Sequence, residues 1–217
     1  MKSIRKTIKN WKLYGKLSDL GEISRRKFFN NCFDGALTCA GIVSGIFIIF
    51  LSPNSFQFTP QNVLITGFAT TLAIGISGLW GAFLSEEAER KKKVSDMKKD
   101  MAIVEDTAEE DDQNNKGDNN NKTILEKAER FATIVASLVD GGAPAVGSTL
   151  PLIPFFFGAS LTIGHFIFSY VILAGLLVYL GIFLGNISGG GKLRYALHLV
   201  TAGVVTLLIS LLLGQIT

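Results

Sequence analysis

The chain has 217 residues, of which 48% are hydrophobic and 18% are charged, and its formal net charge is +3. The basic residues border apolar segments instead of forming one basic face, which argues against a nucleic-acid partner. Five long segments contain almost no charge, so the sequence predicts an all-α integral membrane protein and excludes an ordinary soluble domain.

The N-terminal segment, residues 1–28, carries nine of the 21 basic residues. Its apolar side chains recur at helical spacing: Ile4, Ile8, Trp11 and Tyr14. We predict an amphipathic helix on the cytoplasmic membrane surface, with a frayed basic tail as the alternative. Because 28 mostly polar residues precede the first apolar run, the segment does not fit a cleaved signal peptide.

The five apolar segments cover residues 29–52, 63–84, 131–159, 160–185 and 195–217. Each exceeds the roughly 20 residues that a membrane-spanning helix needs. Ten further basic residues lie in 86–130, and the last two are Lys192 and Arg194. The positive-inside rule therefore predicts five transmembrane helices in the cell membrane, with the N-terminus cytoplasmic and the C-terminus outside.

We accordingly divide the chain into four parts: the N-terminal segment 1–28, helices one and two in 29–85, a cytoplasmic loop in 86–128, and helices three to five in 129–217. The loop changes character midway. Its first half has apolar residues at helical spacing and predicts a helical cytoplasmic extension of the second span. Its second half, "TAEEDDQNNKGDNNNK", is acidic and rich in asparagine, which is typical of a loosely ordered connection.

Asp34 and Asp140 are the only Asp, Glu, Lys or Arg residues within the five predicted spans. A charge at mid-membrane costs roughly 3 kcal/mol on insertion scales, so neither side chain is expected to face lipid. With no Lys or Arg in any predicted span, we expect a proton, a bound cation or water to neutralise them within a shared cavity. A carboxylate that alternates between a proton and a metal ion is the minimum requirement for proton-coupled cation exchange.

The two aspartates are predicted to lie at different depths. Asp34 comes seven residues after Lys27, about 10 Å along a helix, and Asp140 comes ten after Arg130, about 15 Å. We therefore expect Asp34 to lie nearer the cytoplasm and Asp140 near the midplane, as successive stations for an ion.

The neighbours of each aspartate form a polar stripe along one helix face. In the first span the stripe is Asn30, Asp34, Thr38, Gly41 and Gly45. In the third span it is Glu126, Glu129, Thr133, Ser137, Asp140 and Pro144. We select as ion-path residues Asp34, Thr38, Asp140, Ser137 and Thr133.

Pro144 adds a detail to the second stripe. A proline has no amide hydrogen to donate to the carbonyl four residues earlier, which belongs to Asp140. We predict a helix break with a free carbonyl oxygen beside the Asp140 carboxylate, where a cation could bind. The alternative is a packing kink in which Ser or Thr satisfies that carbonyl.

Carboxylates and thioethers flank the predicted cytoplasmic mouth. Candidates for gathering metal there are Glu86, Glu89, Glu126, Glu129, Met97 and Met101. The glutamates are equally explained as solvated helix ends, and the methionines as a packing stripe. His165 and His198 fit interfacial histidines better than metal ligands. Cys32 and Cys39, seven residues apart on one helix, are too distant for a disulfide and fit packing roles.

Three motifs carry a family resemblance: "FDGALTCAGIVSG", "ISGLWGAFLSEEAER" and "VDGGAPAVGSTLPLIPFF". Together with five spans and a charged loop after the second, they resemble the vacuolar iron transporter family in its shorter prokaryotic form. The resemblance implies export of Fe²⁺ or Mn²⁺, proton exchange, and a homodimer with the ion path near its interface. It also implies an ion-path role for Asp34. One departure is Gly81-Ala82, where relatives often have Gly-Glu.

The main hypothesis is thus a transporter, not an enzyme, that exports Fe²⁺ or Mn²⁺ from the cytoplasm by proton antiport. No cofactor is predicted, since the metal is cargo, and the expected partners are lipid, protons and a second copy of the chain. Two alternatives stay open. Two membrane aspartates, each followed by glycine, could form an intramembrane aspartyl protease, and the chain could be a non-transporting membrane scaffold.

Overall fold

The computed structural model describes residues 20–52, 58–105 and 124–214, together with Trp11, Leu13 and Gly15. Within the helices, its description leaves out the side chains of residues 90, 93, 94, 97–105, 124–129 and 214. Five long helices make up most of it: α1 (Leu20–Leu51), α2 (Pro60–Glu105), α3 (Ile124–Leu152), α4 (Ile163–Ser188) and α5 (Lys192–Gly214). Each is long and apolar enough to cross a membrane, which confirms the predicted all-α membrane class.

Local sequence explains where several helices begin and end. Pro60 is the first residue of α2, a position where its missing amide hydrogen costs no helical bond. Gly189 follows α4 with a left-handed φ of 66°, a conformation that suits glycine. Two more glycines come before α5, so the chain reverses direction at once. A short 3₁₀ helix, Ile153–Phe156, follows α3.

The five helices alternate in direction. Gly75 lies against Gly141 and Gly67 against Leu152, so α2 and α3 are antiparallel. Ring contacts between Phe47 and Phe166 and the bond from Tyr170 to Ser44 make α1 and α4 antiparallel. Consequently α1, α3 and α5 run one way, and α2 and α4 run the other.

Helix α3 is the central element and packs against α1, α2 and α4. In its apolar segment 44% of residues are buried, compared with 17% in α2 and in α5. Two clusters of buried residues surround it. One contains Cys32, Ala36, Ala40, Ala143, Leu173, Leu177, Leu180 and Leu199. The other contains Cys39, Val43, Ile46, Val63, Leu152, Phe155 and Phe166.

Glycines let the backbones of α1 and α3 touch. A Cβ added at Gly147 would overlap the carbonyl oxygen of Cys32, and one at Gly35 would lie 2.8 Å from the Cα of Pro144. Only residues without a side chain allow two helices to approach this closely within a membrane. These contacts fix how far α1 is displaced along α3.

The outer faces of α2, α4 and α5 carry large exposed apolar side chains, as a lipid-facing surface requires. Examples are Ile65, Phe168 and Leu193, which are 70%, 66% and 74% exposed. Apart from Asp34 and Asp140, the described Asp, Glu, Lys and Arg residues all lie toward the end of the bundle where α1 begins. The chain is therefore an integral membrane protein, and most of the charges in its described part lie toward one end of the bundle.

Several helix boundaries differ from the predicted ones. The second span continues as one helix of 46 residues to Glu105, so the predicted helix is present, while its cytoplasmic location stays a prediction. Helix α1 begins at Leu20, inside the segment 1–28 that was predicted to lie outside the span. Of that segment's amphipathic pattern, Trp11 is described, and its ring stacks on Phe131 with centroids 5.9 Å apart. The Asn-rich half of the loop lies outside the described residues.

Candidate functional site

Asp34 lies on the exposed face of α1. Thr38 donates its hydroxyl to the backbone carbonyl of Asp34 at 2.9 Å, which leaves the carboxylate out of that bond. Asn30 is exposed as well, and a Cβ added at Gly41 or Gly45 would meet no described atom within 4 Å. These five residues, the α1 stripe, form one line along α1 that is exposed at Asn30 and Asp34 and half-buried at Thr38 and the two glycines.

Asp140 has a different environment, because two side chains of α1 bind its carboxylate. The Lys27 ammonium donates to Oδ2 at 2.6 Å, and the Asn31 amide donates to Oδ1 at 2.5 Å. The side chains of Lys27 and Asp140 are only 22% and 16% exposed. A charge-assisted bond of this length in a half-buried site is a strong one.

The expectation that no Lys or Arg is available to pair with Asp140 is therefore wrong. Its basis was a first span that starts at residue 29, whereas α1 begins at Leu20 and includes Lys27. Helix α1 also runs parallel to α3, so the start of one helix lies beside the start of the other. A lysine stem of four carbons then reaches across the gap between the two helices.

The predicted order of depths is also wrong. Asn31 lies beside Asp140, and Gly35 lies against Pro144. Because the two helices are parallel, Asp34 is about one helical turn farther from the charged end than Asp140, roughly 5 Å at 1.5 Å per residue. The prediction placed Asp34 nearer the charged end because it counted residues from the last basic residue before each aspartate. The sequence does not show how far α1 is displaced along α3, so the two counts could not be compared.

The prediction that the two carboxylates face one sheltered cavity is wrong within the protomer. Asp34 is exposed on the α1 stripe, whereas Asp140 lies where α1, α2 and α3 meet. Spacing along a helix shows which residues share a face. It does not show which neighbour that face meets.

The described part of the second stripe, from Thr133 to Pro144 on α3, points into the bundle as expected. Thr133 and Ser137 are 7% and 3% exposed, and the Ser137 hydroxyl donates to the Thr133 carbonyl at 2.9 Å. Ser148 continues the stripe and donates to the Pro144 carbonyl at 2.7 Å. It also forms a 2.7 Å hydrogen bond with the Thr71 hydroxyl of α2. The sequence interpretation missed both: Ser148 follows the same spacing, but no spacing relates Thr71 to α3.

The helix break predicted at Pro144 is not present, since α3 continues through this residue to Leu152. The carbonyl of Asp140, which loses its usual donor to the proline, lies against Gly78 of α2. A Cβ added at Gly78 would be 2.9 Å from that oxygen. The alternative of a hydroxyl partner is not realised either, since Ser148 donates to the carbonyl of Pro144 itself. A close glycine backbone supplies only weak C–H···O contacts.

Of the predicted metal-gathering residues, Glu86 reaches the Asp140 site. Its Oε1 lies 3.9 Å from the Lys27 ammonium, and its side chain is 39% exposed. Glu89 is exposed on the next turn of α2. Four further candidates have side chains outside the described set, so a metal-gathering role stays a prediction for Glu126, Glu129, Met97 and Met101.

The environments of His165 and the two cysteines fit structural roles. The His165 Nε2 lies 2.5 Å from the Phe157 carbonyl, and its Nδ1 lies 3.2 Å from the Thr162 backbone nitrogen, which donates to it. Since a carbonyl only accepts, the proton is on Nε2 and both ring nitrogens are engaged. His198 is exposed. Cys32 and Cys39 are buried and not joined by a disulfide, as predicted.

Among the described side chains, no three His, Cys, Asp or Glu residues converge as a metal-ligand set. Each site offers one carboxylate with hydroxyl, amide or carbonyl groups nearby.

Comparison with known proteins gives little about function. No family model matches the chain. An uncharacterised protein of Methanocaldococcus jannaschii is 26% identical over 168 residues, which cover 77% of this chain and 76% of that protein. The similarity thus extends over most of both chains.

Proposed function

We propose that the chain is a secondary transporter that exports Fe²⁺ or Mn²⁺ from the cytoplasm in exchange for protons, as vacuolar iron transporters do. The observation that carries the proposal is the Asp34 carboxylate on the exposed face of a membrane-spanning helix. A charge there costs roughly 3 kcal/mol on insertion scales, so a residue of this kind is a functional candidate by default.

The orientation follows from the charges. The basic residues of the described bundle lie at the end where α1 begins, and cytoplasmic ends carry such an excess. That end is therefore cytoplasmic in our proposal, and α2 extends into the cytoplasm beyond the bilayer. The carboxylates of Glu86 and Glu89 then lie at the mouth where an exported ion arrives.

A second copy of the chain completes the site around Asp34. Gly41 and Gly45 are free of described neighbours within 4 Å of an added Cβ, and glycines four residues apart allow two helices to pack closely. A homodimer through the α1 stripe shields Asp34 from acyl chains. It also brings two carboxylates, one from each protomer, to a common two-fold axis.

Exchange at this interface needs only one group with two competing ligands. A carboxylate shielded from water favours a proton, whereas a divalent cation favours the ionised form. The Thr38 hydroxyl, one turn beyond Asp34, offers an oxygen to the passing ion. The α3 residues Thr133, Ser137 and Asp140 form a second polar line inside each protomer.

The protease alternative requires two carboxylates that share a proton. The Asp140 oxygens are instead engaged by Lys27 and Asn31, and Asp34 lies a turn away on an exposed face. This geometry does not favour aspartyl chemistry, and no specific contact favours a scaffold role.

The test is transport by the purified full chain in proteoliposomes with an imposed pH gradient. Fe²⁺, Mn²⁺ and Zn²⁺ are supplied in turn, and metal-sensitive and pH-sensitive dyes report both fluxes. We expect Fe²⁺ or Mn²⁺ flux with proton counter-flux, and a loss of at least about tenfold in Asp34→Asn. Glu22→Gln, an exposed carboxylate on the same helix, is the matched control and retains flux. Absence of metal flux in the wild type, or equal flux in Asp34→Asn, would contradict the proposal.

A further inference from the structure

Lys27 is placed between the carboxylates of two other helices. Its ammonium is 2.6 Å from Asp140 of α3 and 3.9 Å from Glu86 of α2. The distance to Asp140 is that of a charge-assisted hydrogen bond, and the distance to Glu86 is about 1 Å longer than such a bond. One positive charge of α1 thus lies within reach of two negative charges on different helices.

The Asp140 site is already filled by groups of its own chain. Lys27 donates to one carboxylate oxygen, and Asn31, one turn later on α1, donates to the other. In this state the carboxylate needs neither a proton nor a metal ion to balance its charge. A divalent cation that arrives at Asp140 must therefore displace the ammonium, because the two cations would repel each other at contact distance.

We propose that Lys27 is a tethered competing cation, which occupies Asp140 in the empty transporter and moves to Glu86 when a divalent ion binds Asp140. The inference rests on the proposed function and adds a regulation to it. The side chain has the means for the move, since the lysine ammonium is a point charge on a flexible stem with three equivalent donors. Glu86 supplies the destination, and its side chain is 39% exposed and so able to adjust.

The exchange would also change which helices are joined. With the ammonium on Asp140, the ion pair links α1 to α3, and with the ammonium on Glu86 it links α1 to α2. Occupancy of Asp140 by metal is then coupled to the contacts of α1, the helix that carries Asp34. Two alternative ion pairs of one lysine form a two-state element of the kind that coupling between sites requires.

A static ion pair that only fastens α1 to α3 is the competing explanation, and it predicts different binding. If Lys27 competes with metal, its removal makes metal bind more tightly. If the pair is static, removal of Lys27 disturbs the fold or leaves affinity unchanged. The readout is Mn²⁺ binding to the purified full chain in nanodiscs, measured by the electron paramagnetic resonance signal of free Mn²⁺.

We expect Lys27→Met to lower the Mn²⁺ dissociation constant about tenfold, a change in affinity within the usual range for coupled sites. Lys27→Arg retains the charge and restores affinity toward that of the wild type. Lys192→Met, which removes an exposed lysine at the same end of the bundle, leaves affinity unchanged. Equal or weaker Mn²⁺ binding by Lys27→Met overturns the inference.

A metal-free experiment tests the move itself. Asp140→Asn mimics a neutralised site, so Lys27 should transfer to Glu86 in that background. The coupling between Lys27→Met and Glu86→Gln, from a double-mutant cycle of unfolding temperatures, should then be larger with Asp140→Asn than without it. An unchanged coupling overturns the inference. Tighter Mn²⁺ binding together with no flux in liposomes would instead support Lys27 as a competitor and contradict transport.

Discussion

The contact between α1 and α3 can be tested by one methyl group, in the variant Gly147→Ala. The new Cβ would overlap the carbonyl oxygen of Cys32, and it would lie 2.9 Å from the Cys32 carbonyl carbon and 3.0 Å from the Ala36 nitrogen. Carbon normally stays about 3.3–3.6 Å from a carbonyl oxygen. All three neighbours are backbone atoms of α1, so no side chain can rotate away and the helices must separate.

The size of the effect follows from two opposing terms. Overpacking costs about 1–3 kcal/mol, and a clash with backbone places this variant near 3 kcal/mol. Alanine returns about 1 kcal/mol through its better helix propensity. The net loss of about 2 kcal/mol corresponds to an unfolding temperature lower by about 4–8 °C for a chain of this size.

Thermal unfolding of the full chain in detergent, followed by circular dichroism, measures this loss. The matched control is Gly142→Ala, an exposed position on the same helix where an added Cβ meets no described atom within 4 Å. The control gains the helix propensity without the clash, so its unfolding temperature stays equal or rises slightly. If both variants unfold at the same temperature, the close contact between α1 and α3 is refuted.

Three further outcomes are expected. Ser148→Ala should lower the free energy of unfolding by about 1 kcal/mol, because the buried Thr71 hydroxyl loses its bond to Ser148 and keeps only the Gly67 carbonyl as partner; an unchanged denaturation midpoint would argue against this bond. His165→Ala should lower the unfolding temperature but leave metal flux intact, and a loss of flux at equal protein stability would instead indicate an ion-path role. Thr38→Cys should form a disulfide-linked dimer in oxidised membranes, whereas Ile65→Cys, on the lipid-facing side of α2, should not; equal cross-linking of both would contradict a dimer through the α1 stripe.

The five spans were predictable because a bilayer imposes a length and an apolar composition that soluble folds do not need. The helical extension of α2 to Glu105 was predictable from the spacing of its apolar residues. The start of α1 was not, because charged residues such as Lys27 can continue a helix beyond the apolar segment. The hydropathy pattern marks where lipid begins, and a helix need not begin there.

Part of the candidate site could likewise be predicted from the sequence, and part could not. Asp34 and Asp140 stand out in the sequence as charges within apolar segments, and their stripes follow from helical spacing. The ion-pair partner of Asp140 could not be predicted, because Lys27 is separated from Asp140 by 113 residues and contacts it only through the packing of α1 on α3. Likewise, one stripe points outward and the other inward, a difference decided by the glycine contacts between helices.

The two carboxylates have different environments, which predict different effects when each charge is removed. Lys27 balances the charge of Asp140 inside the protomer, whereas the described residues provide no ion pair for Asp34. In the proposed transporter, a proton or a metal ion balances the charge of Asp34, whereas Lys27 or a metal ion balances that of Asp140. Removal of the Asp34 charge should then affect flux more than stability. Removal of the Asp140 charge leaves a half-buried ammonium without its closest partner, so it should affect stability as well.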